Sequence, residues 1–213
     1  MKEHNFLPGK IDKCQICGSN NLIDVINLGE QPLANSLLNN IKEEKKTAKY
    51  PINIIRCKDC TLLQIDYVVD QSKVYHLDYP YLPGITTTVN NEQKELADYL
   101  CKELNLKKNE FVVDIGSNDG SLLKHFKNNK LKVLGVEPTN IAKIANQNNI
   151  ETLQSFFNEE SAEKIINTHG KAKLITSTNV FAHMSTLGDV MDGIKKLLDK
   201  DGFFCFENHY IME

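Results

Sequence analysis

Four of the six cysteines stand in two Cys-x-x-Cys pairs, Cys14 with Cys17 and Cys57 with Cys60. Two residues between cysteines allow both thiolates of one turn to face the same metal ion, and two such turns complete the tetrahedral sulfur shell that zinc prefers. Iron fits the same shell, and a redox pair or a chance spacing are the alternatives, although a redox motif needs only one pair. The pattern predicts a structural zinc site, because four protein ligands leave no position open for water or substrate.

A second segment that could bind a ligand is VVDIGSNDGS, residues 112–121. It begins as an apolar run that contains Asp114, and a polar loop with Gly116, Asn118 and Gly120 follows. Glycines let the backbone turn sharply and approach a ligand closely. Three residues separate these glycines, unlike the Gly-x-Gly-x-x-Gly of dinucleotide-binding enzymes. An acid before the first glycine would repel a pyrophosphate but suits the ammonium group of an amino acid. The segment therefore favours S-adenosylmethionine over NAD as a ligand.

Three further places add groups to the same predicted cofactor site. Glu137, followed by Pro138, ends the apolar segment GVE, where a carboxylate accepts hydrogen bonds from ribose hydroxyls; the alternative is an ordinary exposed carboxylate. Asn179 lies at the end of a later apolar segment. Ser155 and Phe156 follow a short strand, where Ser155 would contact the edge of an adenine ring and Phe156 would cover its face, although Phe156 fits a core position equally well.

The elements that must position these residues alternate from residue 91 onward. Apolar runs typical of strands cover 111–116, 133–137, part of 151–157, 174–181 and 203–211; helical spacing of apolar residues covers 91–106, 121–129, 140–149, 158–170 and 189–202. Strands separated by helices of this length predict an α/β, Rossmann-like domain with a parallel sheet and helices on both faces. Open parallel sheets bind ligands beyond the carboxyl ends of their strands, where Asp114, Glu137 and Asn179 fall.

Three zones follow from these patterns. We expect a zinc-binding domain over residues 1–70, a connector over 71–90 that is rich in tyrosine, proline and glycine, and the Rossmann-like domain over 91–213. The lysine-rich stretch 41–49 is interpreted as a solvated helix or loop. Cys101 and Cys205 have no partner at ligand spacing and are interpreted as small buried apolar residues.

Composition excludes several function classes. The chain of 213 residues has 25 Lys and Arg against 28 Asp and Glu, a net charge of −3, and its lysines form no basic stripe, so nucleic-acid binding is not favoured. No apolar run approaches the ~20 residues that span a bilayer, and the N-terminus lacks the apolar core of a signal peptide. We therefore expect a cytoplasmic protein with no membrane partner.

Taken together, these segments resemble the deoxysugar C-methyltransferases, which act on nucleotide-linked 4-keto-6-deoxysugars. The resemblance covers essentially the whole chain, and its combination of motifs is specific although each motif alone is not. It is carried by Cys-x-x-Cys-Gly at 14–18, INLGEQPLANSLL at 26–38, YPIN before the second cysteine pair, LLQID after it, DYPYLPGIT in the connector, VVDIGSNDGSLL and STNVFAHM. The resemblance implies S-adenosylmethionine and Zn²⁺ as cofactors and a nucleotide sugar as the small-molecule substrate.

The resemblance also implies catalytic residues. In that family a methyl group passes from the sulfonium to a carbon beside a ketone, so a proton must leave that carbon and the resulting enolate must be stabilised. The motifs map a histidine onto His183 and a tyrosine onto Tyr79 or Tyr81, with Tyr79 preferred. Without the resemblance, His183 would be a histidine at a strand end and Tyr79 a packed aromatic residue.

The chain departs from the family in length, because members are considerably longer and carry a glutamate and a histidine after the fifth strand that are thought to supply the base. Glu207 and His209 are not equated with that pair. We expect a truncated chain that lacks a C-terminal domain or works with a partner chain. The alternatives are an O- or N-methyltransferase that acts on another small molecule, and a non-catalytic zinc- and cofactor-binding fragment that needs a partner.

Overall fold

The computed structural model describes residues 5–38, 40–42 and 47–209, which divide into two compact units. The smaller unit contains the residues up to His76 together with Ser185–Asp189. The larger unit contains Leu77–Met184 and the residues from Val190 onward. Among the described residues, no helix is both long and apolar enough to cross a membrane.

The smaller unit consists of short antiparallel sheets. Its elements are β1 (Gly9–Lys10), β2 (Leu22–Pro32), β3 (Lys49–Cys57), β4 (Leu63–Ile65), β5 (Tyr67–Val68) and α1 (Gln71–Val74). β2, β3 and β4 form one sheet in that order, and β1 pairs with β5. The helix or loop predicted over 41–49 is observed only in part: Lys49 already belongs to β3, and residues 43–46 lie outside the described residues.

The larger unit holds a five-stranded parallel sheet with helices on both faces. Its elements are α2 (Thr87–Glu103), β6 (Phe111–Ile115), α3 (Ser121–Asn128), β7 (Lys132–Val136), α4 (Ile141–Gln147), β8 (Thr152–Leu153), α5 (Glu159–His169), β9 (Ala172–Thr178), α6 (Leu187–Leu197) from Val190 onward, and β10 (Leu198–Glu207). The strand order is β10-β9-β6-β7-β8, and every neighbouring pair is parallel. The predicted Rossmann-like fold is confirmed.

The central strand β6 is buried along its whole length, as expected for a parallel strand covered on both faces. Phe111, Val113 and Ile115 point into one core cluster, which α5 and α6 complete. Val112 points into the other cluster, which α2 and α3 complete. Because alternate residues along a strand point to opposite faces, Asp114 shares the face of Val112 at the end of the strand where the glycine loop begins.

Most predicted elements are found within a few residues of the expected bounds, and the differences have local causes. The helix predicted from residue 91 begins at Thr87. The strand predicted over 174–181 ends at Thr178, because Asn179 takes a positive φ of 56° and leaves the extended conformation. The last strand begins at Leu198 rather than Phe203, with an irregularity between the two. Residues 210 and 211 of that predicted strand lie outside the described residues.

Cys101 and Cys205, predicted to be buried, are only partly buried, and both pack against the cluster formed by α2 and α3. Removal from water is the main cause that raises the pKa of each thiol. They therefore contribute packing, in agreement with their interpretation as small apolar residues.

Candidate functional site

The four paired cysteines converge in the smaller unit. Their Sγ atoms all lie within 4.8 Å of one another, with 3.5 Å between Cys14 and Cys60 and between Cys17 and Cys57. Four sulfurs around a zinc ion, with Zn–S bonds of about 2.3 Å, lie about 3.8 Å apart in a tetrahedron. The side chains of Cys14 and Cys57 are completely buried, which removes two of the ligands from solvent. The donor set and its spacing fit a structural zinc ion.

Both cysteine pairs lie on turns of the same shape. The Gly18 N–H donates to the Cys14 carbonyl at 2.9 Å, and the Thr61 N–H donates to the Cys57 carbonyl at 3.0 Å. Gly18 and Thr61 both have positive φ, 72° and 68°. The backbone amide of Cys60 is the main group that lowers the pKa of Cys57, to about 7. This amide thus favours the thiolate of Cys57, which is the form that binds metal.

In the larger unit, the glycine loop after β6 turns back over the end of the sheet. Gly116 and Gly120 have φ values of 74° and 76°, in the left-handed region that glycine adopts without strain. A Cβ on Gly116 would lie 2.6 Å from the Val180 side chain, and one on Gly120 would lie 2.8 Å from Ile150. Both glycines are therefore required for close packing as well as for conformation.

Glu137 joins the glycine loop to the loop that follows β7. Its side chain is buried, with 5% exposure. One carboxylate oxygen accepts the Asn118 N–H at 3.1 Å, and the other accepts the Thr139 N–H at 2.9 Å. An ionised carboxylate has about four lone-pair sites, so each oxygen retains acceptor capacity for a ligand.

Asp114 lies near the end of β6, which pairs with β7, and is almost completely buried, with 3% exposure. Its Oδ1 accepts a hydrogen bond of 2.7 Å from the Thr176 hydroxyl on β9. Burial is the main cause that raises the pKa of Asp114 to about 7; the Thr176 bond opposes the shift and the charge of Glu137 adds to it. Two carboxylates at neighbouring strand ends favour a cation between them, because a positive charge stabilises both ionised forms.

Residues 77–86, which we name the distal connector, lie against both loops within the larger unit. The Asn118 side-chain amide donates to the Tyr81 carbonyl at 2.9 Å. The Gly84 N–H donates to Asp119 Oδ2 at 3.1 Å. On the other side, the Asn140 N–H donates to the Leu77 carbonyl at 2.9 Å. The segment that carries Tyr79 and Tyr81 is thus held at the predicted cofactor loops.

The tyrosines themselves differ in exposure: Tyr79 is half-buried and Tyr81 is 54% exposed. His183 ends the 3₁₀ turn Phe181–His183 that follows β9, at the molecular surface. Partial removal of its ring from water, followed by the charge of His209, lowers the pKa of His183. Its imidazole is therefore predominantly neutral at pH 7, a form that donates one hydrogen bond and accepts another.

The remaining predicted cofactor residues lie in the loops that follow β7, β8 and β9. Asn179 is exposed, and its side chain donates to Glu207 Oε1 at 2.7 Å, which connects the ends of β9 and β10. Ser155 follows β8, and its hydroxyl donates to the backbone carbonyl of Phe156. The Phe156 residue is half-buried. The adjacent Phe157 is the aromatic residue that enters the core. Pro138 lies half-buried in the loop after β7.

Sequence reasoning missed two residues that hold this site. Thr176 is a polar residue in the apolar run LITSTNVF. A hydroxyl in a strand that is expected to be buried needs a hydrogen-bond partner, and this was the available signal. Asp119 precedes α3, and its Oδ1 accepts the Ser121 N–H at 3.1 Å, which forms an Asx turn just before the helix. An acid just before a predicted helix could have identified it.

Comparison with known families gives two matches. A family model described as "Methyltransferase domain" matches residues 89–210. A second, described as "Putative zinc binding domain", matches residues 14–75, which include all four clustered cysteines.

Among characterised proteins, the C-methyltransferase NovU of Streptomyces niveus is 30% identical over 204 residues, which cover 95% of this chain and 48% of that protein. The chain therefore spans about half the length of this relative. Two solved structures are more distant. A SAM-dependent methyltransferase of Anabaena variabilis is 21% identical, with a TM-score of 0.45 over 54% of this chain and 50% of that one. A coclaurine N-methyltransferase bound to N-methylheliamine and SAH is 20% identical, with a TM-score of 0.43 over 56% of this chain and 36% of that one.

Proposed function

Because the chain belongs to the methyltransferase-domain family, as its sequence predicts, we propose that it uses S-adenosylmethionine to methylate a carbon of a nucleotide-linked 4-keto-deoxysugar. The matched domain covers more than half of the chain. The relative named as a C-methyltransferase supports a carbon acceptor, and a cysteine cluster that precedes a methyltransferase domain in the sequence supports the same kind of enzyme.

The observation that carries the proposal is the pair of buried carboxylates at the ends of β6 and β7. Asp114 would accept the ammonium group of the methyl donor, and Glu137 would accept its ribose hydroxyls. The glycine loop between them brings backbone close to the ligand without side chains in the way. Ser155 and Phe156, after β8, would contact the adenine.

At the acceptor, transfer to carbon requires that a base accept the proton that leaves the sugar carbon and that the resulting enolate be stabilised. The base is assigned to no residue of this chain. A neutral His183 and the phenol of Tyr79 would donate hydrogen bonds to the ketone oxygen as its negative charge develops. The exposed Tyr81 is the alternative phenol. The bound methyl donor supplies the electrophilic methyl group, and the side chains orient the acceptor toward it.

Zinc would stabilise the smaller unit without entering the chemistry. Four cysteine ligands complete the tetrahedral shell, so substrate would find no open coordination position. Because such a site is assembled only in the folded state, the free energy of metal binding stabilises the fold.

Cofactor binding is tested by calorimetry of the chain with S-adenosylhomocysteine. We expect binding to the unmodified chain and at least tenfold weaker binding to Glu137→Gln, because the new amide group would face a backbone N–H and lose an acceptor position. The exposed Glu103→Gln on α2 serves as the matched control and should bind as the unmodified chain does. Equal affinity for all three proteins would exclude Glu137 from the cofactor site.

Catalysis is tested by incubation with isotopically labelled S-adenosylmethionine and a TDP-4-keto-6-deoxysugar. A C-methylated product is expected, whereas a product methylated only on oxygen or nitrogen would defeat the proposal. His183→Asn and Tyr79→Phe should each lower kcat about 10²-fold or more, as loss of an oxyanion donor does. Tyr99→Phe, at an exposed position on α2, is the control. Binding without turnover until the second half of a relative is added would indicate a cofactor-binding module.

A further inference from the structure

The distal connector is joined to the proposed cofactor loops by a closed ring of hydrogen bonds. Leu77 accepts from Asn140, in the loop that begins at Glu137. Glu137 accepts from the Asn118 backbone, and the Asn118 side chain donates back to the distal connector at Tyr81. The three segments 77–86, 116–120 and 137–140 therefore hold one another, although they are far apart in the sequence.

From this ring we infer that Asn118 and Asp119 are positioning residues that couple occupancy of the cofactor site to the order of the distal connector, so that methyl-donor binding prepares the sugar site. The inference rests on the proposed function, because it assigns the donor to the glycine loop and the sugar to the connector tyrosines. Neither residue needs to touch the sugar in order to act.

Asn118 is suited to this role by its two different contacts. Its backbone N–H is bound to the carboxylate that would hold the ribose, and its side chain is bound to the distal connector. Its φ of 50° lies in the left-handed region, which asparagine adopts only at some cost. A ligand that fixes Glu137 also favours this conformation of Asn118, and the conformation keeps the side-chain amide aimed at Tyr81.

Asp119 adds a second and tighter connection. One carboxylate oxygen accepts from the start of α3 and the other accepts from Gly84, so the side chain bridges the helix and the distal connector. A Cβ on Gly84 would lie 2.5 Å from Asp119 Oδ2 and 3.1 Å from the Ser121 Cβ. The connector backbone therefore approaches the loop so closely that any side chain at Gly84 would have to displace the Asp119 carboxylate.

Coupling of this kind is reciprocal, since a ligand that orders the distal connector must bind more weakly when the connector is released. A typical coupling free energy corresponds to a change of about 5- to 150-fold in an equilibrium constant. The distal connector should therefore exchange its amide hydrogens at least fivefold more slowly when the cofactor site is saturated.

The test is hydrogen exchange of residues 77–86 in the intact chain, with and without saturating S-adenosylhomocysteine. Asn118→Gly is the main variant, because glycine suits the positive φ and keeps the N–H to Glu137 but removes the bond to Tyr81. Its matched control is Asn109→Gly, which also has a positive φ, 70°, and lies in the turn before β6. Asp119→Asn is the second variant, since its new amide would face the Gly84 N–H.

We expect the ligand to slow exchange in the unmodified chain and in Asn109→Gly at least fivefold, and less than twofold in Asn118→Gly and Asp119→Asn. If the variants exchange faster by the same factor with and without ligand, the two residues are merely structural and the inference is wrong. If the ligand binds by calorimetry but leaves exchange of the distal connector unchanged in the unmodified chain, the inference alone is wrong. If calorimetry detects no binding, the proposed function fails, and this inference fails with it.

Discussion

Replacement of Asp114 by asparagine should stabilise the larger unit at neutral and alkaline pH. The carboxyl group of Asp114 is buried, and the hydrogen bond from the Thr176 hydroxyl does not offset the loss of water around its charge. Asparagine keeps the shape of the side chain and can accept the same hydrogen bond. The variant therefore removes the charge while it keeps the contact.

The size of the effect follows from the pKa shift. Burial raises the pKa of Asp114 from 3.8 to about 7, and each pKa unit corresponds to about 1.4 kcal/mol. The folded state therefore holds a proton that the unfolded state has lost between about pH 4 and pH 7. In that window the free energy of unfolding of the unmodified chain falls as pH rises, and above pH 7 the full penalty of about 4 kcal/mol is present.

The assay is urea unfolding at pH 5, 6, 7 and 8, followed by far-UV circular dichroism, to which the helices α2–α5 of the larger unit contribute strongly. The difference in unfolding free energy between Asp114→Asn and the unmodified chain should grow by about 3 kcal/mol from pH 5 to pH 8, in favour of the variant. Comparison at each pH cancels contributions that the two proteins share, including those of the cysteine site.

The control is Asp98→Asn on α2. A hydrogen bond from Lys94 is the main cause that lowers the pKa of Asp98, so its stabilising charge is lost only as pH falls into the acid range. Its difference from the unmodified chain should be constant between pH 5 and pH 8. A constant difference for Asp114→Asn as well, or a variant that is less stable at pH 8 than at pH 5 relative to the unmodified chain, would refute the reasoning about burial.

Two further predictions concern the turns. Gly116→Ala should destabilise the larger unit by about 1–3 kcal/mol, because its Cβ would meet Val180. Gly170→Ala, also at positive φ but in open space, should lower the free energy of unfolding by less. Thermal unfolding of both variants measures the difference. Cys57→Ser should release the metal and speed proteolysis of the smaller unit, whereas Cys205→Ser should change neither metal content nor proteolysis. Metal analysis and limited trypsin digestion test this. Retained metal in Cys57→Ser would contradict the zinc assignment.

The larger unit was predictable because its signals are local. FVVDI is apolar at four of its five positions, which indicates a strand buried on both faces, and the helices between strands repeat at regular intervals. The spacing of the two cysteine pairs was sufficient to predict that the four cysteines cluster. The residues now proposed for the cofactor site were identified by their positions at strand ends, and their roles stay predictions.

The contacts that hold the site could not be predicted, because they depend on tertiary geometry. That Glu137 is bound by the backbone of Asn118 follows from the way two loops meet, and no sequence pattern records it. The hairpin of β2 and β3 was missed for a different reason: β2 is largely exposed on both faces, so it lacks the alternation of apolar and polar residues that indicates a strand.

The strand order has a consequence for how such an enzyme would diversify. β6 lies at the centre of the sheet with β7 on one side and β9 on the other. Glu137, proposed to hold the ribose of the methyl donor, follows β7, whereas His183, proposed to face the acceptor, follows β9. Substitutions around His183 would then alter the choice of acceptor while both carboxylates proposed to bind the donor are kept.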